Sequence, residues 1–251
     1  MGRNMKNIKL TIEYDGKEYQ GWQKQPTKLN IQGEIENAIE HITGEKVDLI
    51  GSGRTDRGVH AVAQVANFKM ISNFPVEKMP VAINSQLKKS IRIIKAEEVS
   101  IEFHSRYNCK EKTYCYVIDN SKEGSAIFRN FSYHESQSLN ISLMKKAIKH
   151  LEGEHDFSSF RSSGGGNKNS IRTIFNAEII VKGNYIIIKL TGNGFLYNMV
   201  RIIAGTMLEV GLGKIKESEI IDIMESKNRQ NAGKTLPPYG LFLCNVEYVT
   251  K

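Results

Sequence analysis

Gly51-Ser52-Gly53-Arg54-Thr55-Asp56-Arg57-Gly58-Val59-His60-Ala61 places one carboxylate, Asp56, between two arginines on a chain broken by three glycines. The run from Val47 to Ile50 leads into this stretch and the run from Ala61 to Phe68 leads out. The pattern reads as strand, tight polar loop, strand, with glycines supplying backbone angles that other residues disfavour. Arg54 and Arg57 beside Asp56 favour its ionised form, because nearby positive charge stabilises a carboxylate. Taken alone, the loop is either a salt-bridged surface turn or a charged site.

Outward from the loop, Asn7 to Tyr14 alternates Ile8, Leu10, Ile12 and Tyr14 with polar residues, as a half-buried strand does. Ile31, Ile35, Ala38, Ile39 and Ile42 recur at helical spacing between Asn30, an N-cap residue, and Gly44, a stop. A helix is expected from Val76 to about Lys88 and a strand from Ile91 to Val99. The first half therefore runs β-α-β-β-α-β. The second half repeats the order with a strand at Lys112 to Ile118 and an amphipathic helix through Leu143, Met144, Ala147, Ile148 and Leu151. Two strands, Thr173 to Val181 and Tyr185 to Leu190, turn at Gly183-Asn184. A long helix from Phe195 to about Val210, a shorter one near Glu217 to Ser226, and a strand from Leu241 to Val249 complete it. The fold class is α+β, as two tandem ferredoxin-like units with antiparallel sheets and helices on one face. They divide as residues 1–105 and 106–251.

The 251 residues are 40% apolar and 25% charged, which describes a folded globular chain. The net charge of +8 calls for a polyanionic partner, and no block of like charge concentrates it, so a folded surface must gather the patch. Cys109, Cys115 and Cys244 form no Cys-x-x-Cys pair and fit a reducing cytoplasm. The start of the chain has no signal-peptide pattern, and no apolar run is long enough for a bilayer. The six histidines are scattered, which gives no metal spacing, and there is no P-loop or dinucleotide fingerprint.

Lys112, Tyr114 and Tyr116 share one face of their strand, either as a platform for stacking unpaired bases or as ordinary cross-strand packing. The helix from Phe195 is apolar on both sides yet carries Arg201, which needs a buried anionic partner such as Asp56, another acid, or a path to solvent. Arg161–Ser170 is Gly/Ser-rich and basic, a linker or an RNA-contacting flap. His155-Asp156 is expected in a packed turn beside Phe157 and Phe160.

In order along the chain these fragments resemble the tRNA pseudouridine synthase A family. They comprise Tyr14-Asp15-Gly16, Tyr19-x-Gly21-Trp22-Gln23-x-Gln25, the opening stretch, Phe103-His104-x-Arg106 and Lys112-x-Tyr114-x-Tyr116. Gly153-x-His155-Asp156-Phe157-x-x-Phe160, Arg172-Thr173-Ile174 and Gly194-Phe195-Leu196-Tyr197-x-Met199-Val200-Arg201 follow. The resemblance implies isomerisation of uridine to pseudouridine at tRNA positions 38, 39 and 40 in the anticodon stem-loop. It implies the two sheets joined into one extended sheet, with an RNA-binding cleft opposite the helices. It assigns catalysis to Asp56, Tyr114 and Arg201, with Arg201 as the counter-ion of Asp56. Tyr114, Arg54, Thr55, Arg57, His60 and Arg106 are its substrate-binding positions. It further implies no metal or organic cofactor, tRNA as partner, a homodimer, no membrane and a cytoplasmic setting. Arg57 departs from the small residue that usually follows the family's aspartate. Beside this reading stand a non-catalytic RNA-binding protein and a paralogue acting at other uridines.

Overall fold

A computed structural model of the chain describes residues 4–164 and 169–248. The alternating start becomes strand β1 (Lys6–Tyr14), with Ile8, Leu10, Ile12 and Tyr14 buried on one face. Asn30 caps α1 (Ile31–Thr43) by accepting from Gly33 N at 2.8 Å, which pairs one of the orphan amides of the first turn. Gly44 ends the helix in the left-handed region. Then come β2 (Ile50–Gly51), β3 (His60–Met70), α2 (Met79–Gln86) and β4 (Ile91–Val99). The helix expected from Val76 opens as a 3-10 turn, Val76–Lys78, and becomes α-helical at Met79. Pro80 lies in the first turn of α2, where its missing N–H has no helical partner to lose.

β1 pairs antiparallel with both β3 and β4, and β2 pairs antiparallel with β3, giving the order β4-β1-β3-β2. The register Ile8↔Phe68, Leu10↔Ala66 and Ile12↔Gln64 stacks the buried side chains of the two strands on the same face. α1 buries Ile31, Ile35 and Ile39, and α2 buries Met79 and Ile83.

The other face of β1 and β3 carries a polar clamp. Asn7 Nδ2 donates to the carbonyls of Ser100 (2.9 Å) and Phe103 (2.8 Å), and Asn67 Nδ2 donates to Asn7 Oδ1 at 3.0 Å. Asn67 Oδ1 accepts from Ser105 N at 2.8 Å. Both asparagines are buried, so these bonds compensate desolvation that would otherwise oppose folding.

The remaining elements are β5 (Cys109–Asp119), β6 (Tyr133–His134), α3 (Ile141–Lys149), β7 (Gly153–Asp156), β8 (Ile171–Lys182), β9 (Tyr185–Gly192), α4 (Met199–Gly211), α5 (Glu219–Glu225) and β10 (Leu241–Tyr248). β5, β9, β8 and β7 pair antiparallel in that order, β6 is a short parallel partner of β5, and α3 packs on α4. His155-Asp156, expected in a packed turn, lies in the strand Gly153–Asp156 on β8, and four residues are too few to show a period in sequence. Phe157 and Phe160 are fully buried beside it. The helix expected from Phe195 starts at Met199, because Asn198 takes a left-handed φ of 61°.

The described residues form two compact units, 4–110 with 243–248, and 111–242. The sequence reading placed 106–251 together, whereas most of β10 returns to the first unit beside β3. Of the segment 161–170, expected as a linker or a flap, residues 165–168 lie outside the described residues.

Burial holds the phenols of Tyr14, Tyr116 and Tyr248 neutral well above the usual tyrosine range. In the unfolded chain they ionise near pH 10, so above that pH the folded state binds more protons and stability falls. Each phenol contributes a loss of up to about 1.4 kcal/mol per pH unit. Urea midpoints at pH 8, 9 and 11 should be nearly level between the first two and then drop, and Tyr116→Phe should shallow the drop. A midpoint unchanged at pH 11 would contradict the burial of these hydroxyls.

Candidate active site

The loop that carries Asp56 is held from below by buried polar side chains. Tyr14 at the end of β1 places its hydroxyl 2.8 Å from Thr55 Oγ1. Gln64 on β3 donates through Nε2 to Gly53 O at 3.0 Å, and its Oε1 accepts from Ser52 Oγ at 2.7 Å. Trp22 N donates to Thr55 O at 3.0 Å, which ties the segment after β1 to the same loop. Asp56 is half-buried, outside any strand, and its carbonyl accepts from Val59 N at 3.1 Å to close a turn. Arg54 and Arg57 are exposed on either side of it. The loop thus presents a carboxylate between two solvated cations on a backbone pinned by neutral hydrogen bonds.

Of its three glycines only Gly58 has a left-handed φ, 77°. Gly51 is required for another reason, since a Cβ there would lie 2.6 Å from the indole of Trp22.

Thr55 and His60 are buried, with 6% and 1% of their surface exposed. His60 Nδ1 lies 3.1 Å from both Gly16 N and Asp15 Oδ1. One nitrogen cannot serve both: Nδ1 without a proton accepts from Gly16 N–H, and Nδ1 with one donates to Asp15. Either bond fastens the Asp15-Gly16 turn to the end of the loop.

In the second unit, Tyr114 on β5 is 8% exposed, with its ring edge-on to Phe195 at 5.1 Å between centroids. Tyr116 does not belong to an open platform. It is fully buried and donates its hydroxyl to Pro237 O at 2.8 Å, so ordinary packing describes it. Arg201, half-buried in the first turn of α4, donates through Nε to Leu236 O (2.6 Å) and through Nη1 to Asn198 Oδ1 (2.7 Å). Leu236 is set by a segment bonded to α4 itself, through Gly233 N to Thr206 Oγ1 at 2.9 Å and Leu236 N to Arg201 O at 3.3 Å. A guanidinium held at two nitrogens has its plane fixed, and that fixed plane is what bidentate recognition of an oxyanion uses.

Arg106 is exposed in a turn joined to the first unit's polar clamp. The supports that sequence reading missed are Gln64, Asn198 and Leu236. A glutamine inside the apolar run of β3 was the one visible signal among them, whereas Asn198 and Leu236 act through a backbone turn and a carbonyl. Among the described residues, no group of three His, Cys, Asp or Glu side chains is placed to hold a metal ion, and no helix is long and apolar enough to cross a membrane.

A sequence profile of a family described as tRNA pseudouridine synthase matches residues 10–108 and 147–249. A tRNA pseudouridine synthase A of Caldicellulosiruptor saccharolyticus is 54% identical over 97% of this chain and 100% of its own length. A tRNA pseudouridine synthase A of Thermoanaerobacter sp. strain X514 is 48% identical over 97% of this chain and 100% of its own. A protein of Clostridium perfringens with the name tRNA pseudouridine synthase A 2 is 50% identical over the same shares.

Gly51→Ala should force the buried Trp22 ring aside and destabilise the protein by about 1–3 kcal/mol, the usual range for overpacking. Trp22 is the single tryptophan, so its emission reports the shift directly. Unchanged emission and an unchanged urea midpoint would mean that the loop and Trp22 are not in contact.

Proposed function

The chain belongs to the tRNA pseudouridine synthase family and is an isomerase of tRNA uridine; on that premise we propose that it acts at positions 38, 39 and 40 of the anticodon stem-loop, with Asp56, Tyr114 and Arg201 as the catalytic residues. The observation that carries this assignment is the Asp56 loop, in which a half-buried carboxylate is flanked by exposed Arg54 and Arg57 on a rigidly bonded backbone. Two tandem ferredoxin-like units are part of the proposal. The antiparallel order β4-β1-β3-β2, with helices after β1 and β3, supports the first, and the order β5-β9-β8 supports the second. We place the enzyme in the cytoplasm as a homodimer.

The reaction breaks the N1–C1′ bond, turns the uracil and forms a C5–C1′ bond. C5 gives up a proton and N1 gains one, so substrate and product contain the same atoms. Breaking a glycosidic bond builds positive charge on the sugar, and an ionised Asp56 at C1′ stabilises it. Arg201 is the counter-ion that keeps Asp56 ionised and aimed, a role suited to a guanidinium whose plane Leu236 and Asn198 already fix. The target base must leave its stack to be reached, and the Tyr114 ring, itself braced by Phe195, holds it while it turns. Arg54, Arg57 and Arg106, all exposed, supply phosphate contacts. Thr55 and His60 act by positioning, since both are buried against Tyr14 and Gly16.

The test is pseudouridine mapping in unmodified tRNA transcripts. Wild type should modify the anticodon arm. Asp56→Asn should lower turnover by at least about 10³-fold with RNA affinity kept, and Arg201→Leu by about 10²-fold or more in a folded protein, as expected when an electrostatic contact to the reacting centre is lost. Tight tRNA binding by wild type with no pseudouridine formed would sink the assignment. Modification confined to other parts of the tRNA would replace the anticodon-arm reading by one in which Arg57 redirects the site.

A further inference from the structure

The segment between β4 and β5 holds a turn that leaves one aromatic side chain largely in water. Tyr107 is 76% exposed, although its ring lies against His104 at 4.2 Å between centroids. The Arg106 guanidinium sits 5.9 Å from the same ring. An aromatic ring left in water is ordinarily free to move, but this one stands on a bonded frame. His104 Nδ1 accepts from Arg106 N (3.1 Å) and Tyr107 N (3.2 Å), and Asn108 closes the turn in both directions, through Oδ1 to His104 N and N to His104 O.

The frame is anchored in the unit that carries Asp56. Ser105, fully buried, donates its amide N–H to Asn67 Oδ1, accepts Tyr248 OH on its carbonyl at 2.8 Å, and donates its hydroxyl to Ile50 O. Ile50 is the residue directly before the Gly51–Ala61 loop. The turn that displays Tyr107 and the loop that displays Asp56 therefore spring from one shared polar anchor.

We propose that Tyr107, backed by His104, is a stacking site for an unpaired nucleobase of the RNA substrate, with Arg106 beside it on the adjoining phosphate. The proposal rests on the reading that this chain acts on tRNA, and it adds a binding residue outside the catalytic set. His104 backs the ring, the Arg106 guanidinium lies over it, and 76% of the residue stays exposed to meet a base. A preordered ring loses little freedom on binding, and every base has a face that stacks on it. The neighbouring guanidinium supplies the charge that a backbone phosphate neutralises.

Affinity for an unmodified tRNA transcript, measured across a salt series, tests it. Tyr107→Ala should raise Kd about tenfold, whereas Tyr107→Phe and Tyr107→Trp should stay within about twofold, because stacking needs a ring and not a hydroxyl. The slope of log Kd against log salt should be unchanged in Tyr107→Ala, since stacking releases no counter-ions. A reduced slope would mean that the ring acts only by holding Arg106, which overturns the stacking site. Unchanged affinity in Tyr107→Ala, with wild type still forming pseudouridine, would remove the proposal and leave the enzyme reading intact. Unchanged affinity together with an altered sedimentation coefficient would assign the ring to a protein interface instead. A wild type that neither binds nor modifies tRNA would remove both.

Discussion

Tyr14 and Gln64 are polar side chains buried under a loop, and the shape of the Asp56 site depends on that burial. A hydroxyl or amide taken out of water must find partners or oppose folding by a few kcal/mol. Here the partners are Thr55, Ser52 and the carbonyl of Gly53, all inside the loop that presents Asp56. Satisfying the core and fixing the loop are consequently one event. Among the described residues no buried side-chain nitrogen or oxygen is left without a hydrogen bond, so the network is complete as well as rigid. A fully satisfied network of this kind specifies one conformation for the loop that presents Asp56.

Arg201 is treated in a similar way. Two of its bonds go to a backbone carbonyl and an amide oxygen, and together they set the plane of the guanidinium. The anchors come from the residues just before and well after α4, so the orientation of one side chain depends on how the chain returns at Gly233–Leu236.

The Asn7–Asn67 clamp performs a third piece of positioning. By holding Ser100, Phe103 and Ser105 on the face of β1 and β3 that does not carry the core, it turns the exit of the first unit into ordered structure. The polar face of a half-buried sheet thus carries its own function instead of simply meeting solvent.

The order of the long strands and helices is legible in the chain alone, because periods of two and of about 3.6 residues survive without any tertiary information. The sequence determined the limits of α1 through Asn30 and Gly44, and the unusual charge of the Arg54-Thr55-Asp56-Arg57 loop. What it left open was which of its polar residues are spent inward. Thr55, His60 and Tyr116 look like ligand groups in a string of letters, and the tertiary structure uses each for an internal hydrogen bond. It likewise took the fold to bring residues 243–248 back to the first unit, to form β7 from four residues, and to give Arg201 its anchors at Asn198 and Leu236. Each of these rests on contacts between positions far apart in the chain or on the local angle of one residue, and neither leaves a periodic trace in the sequence.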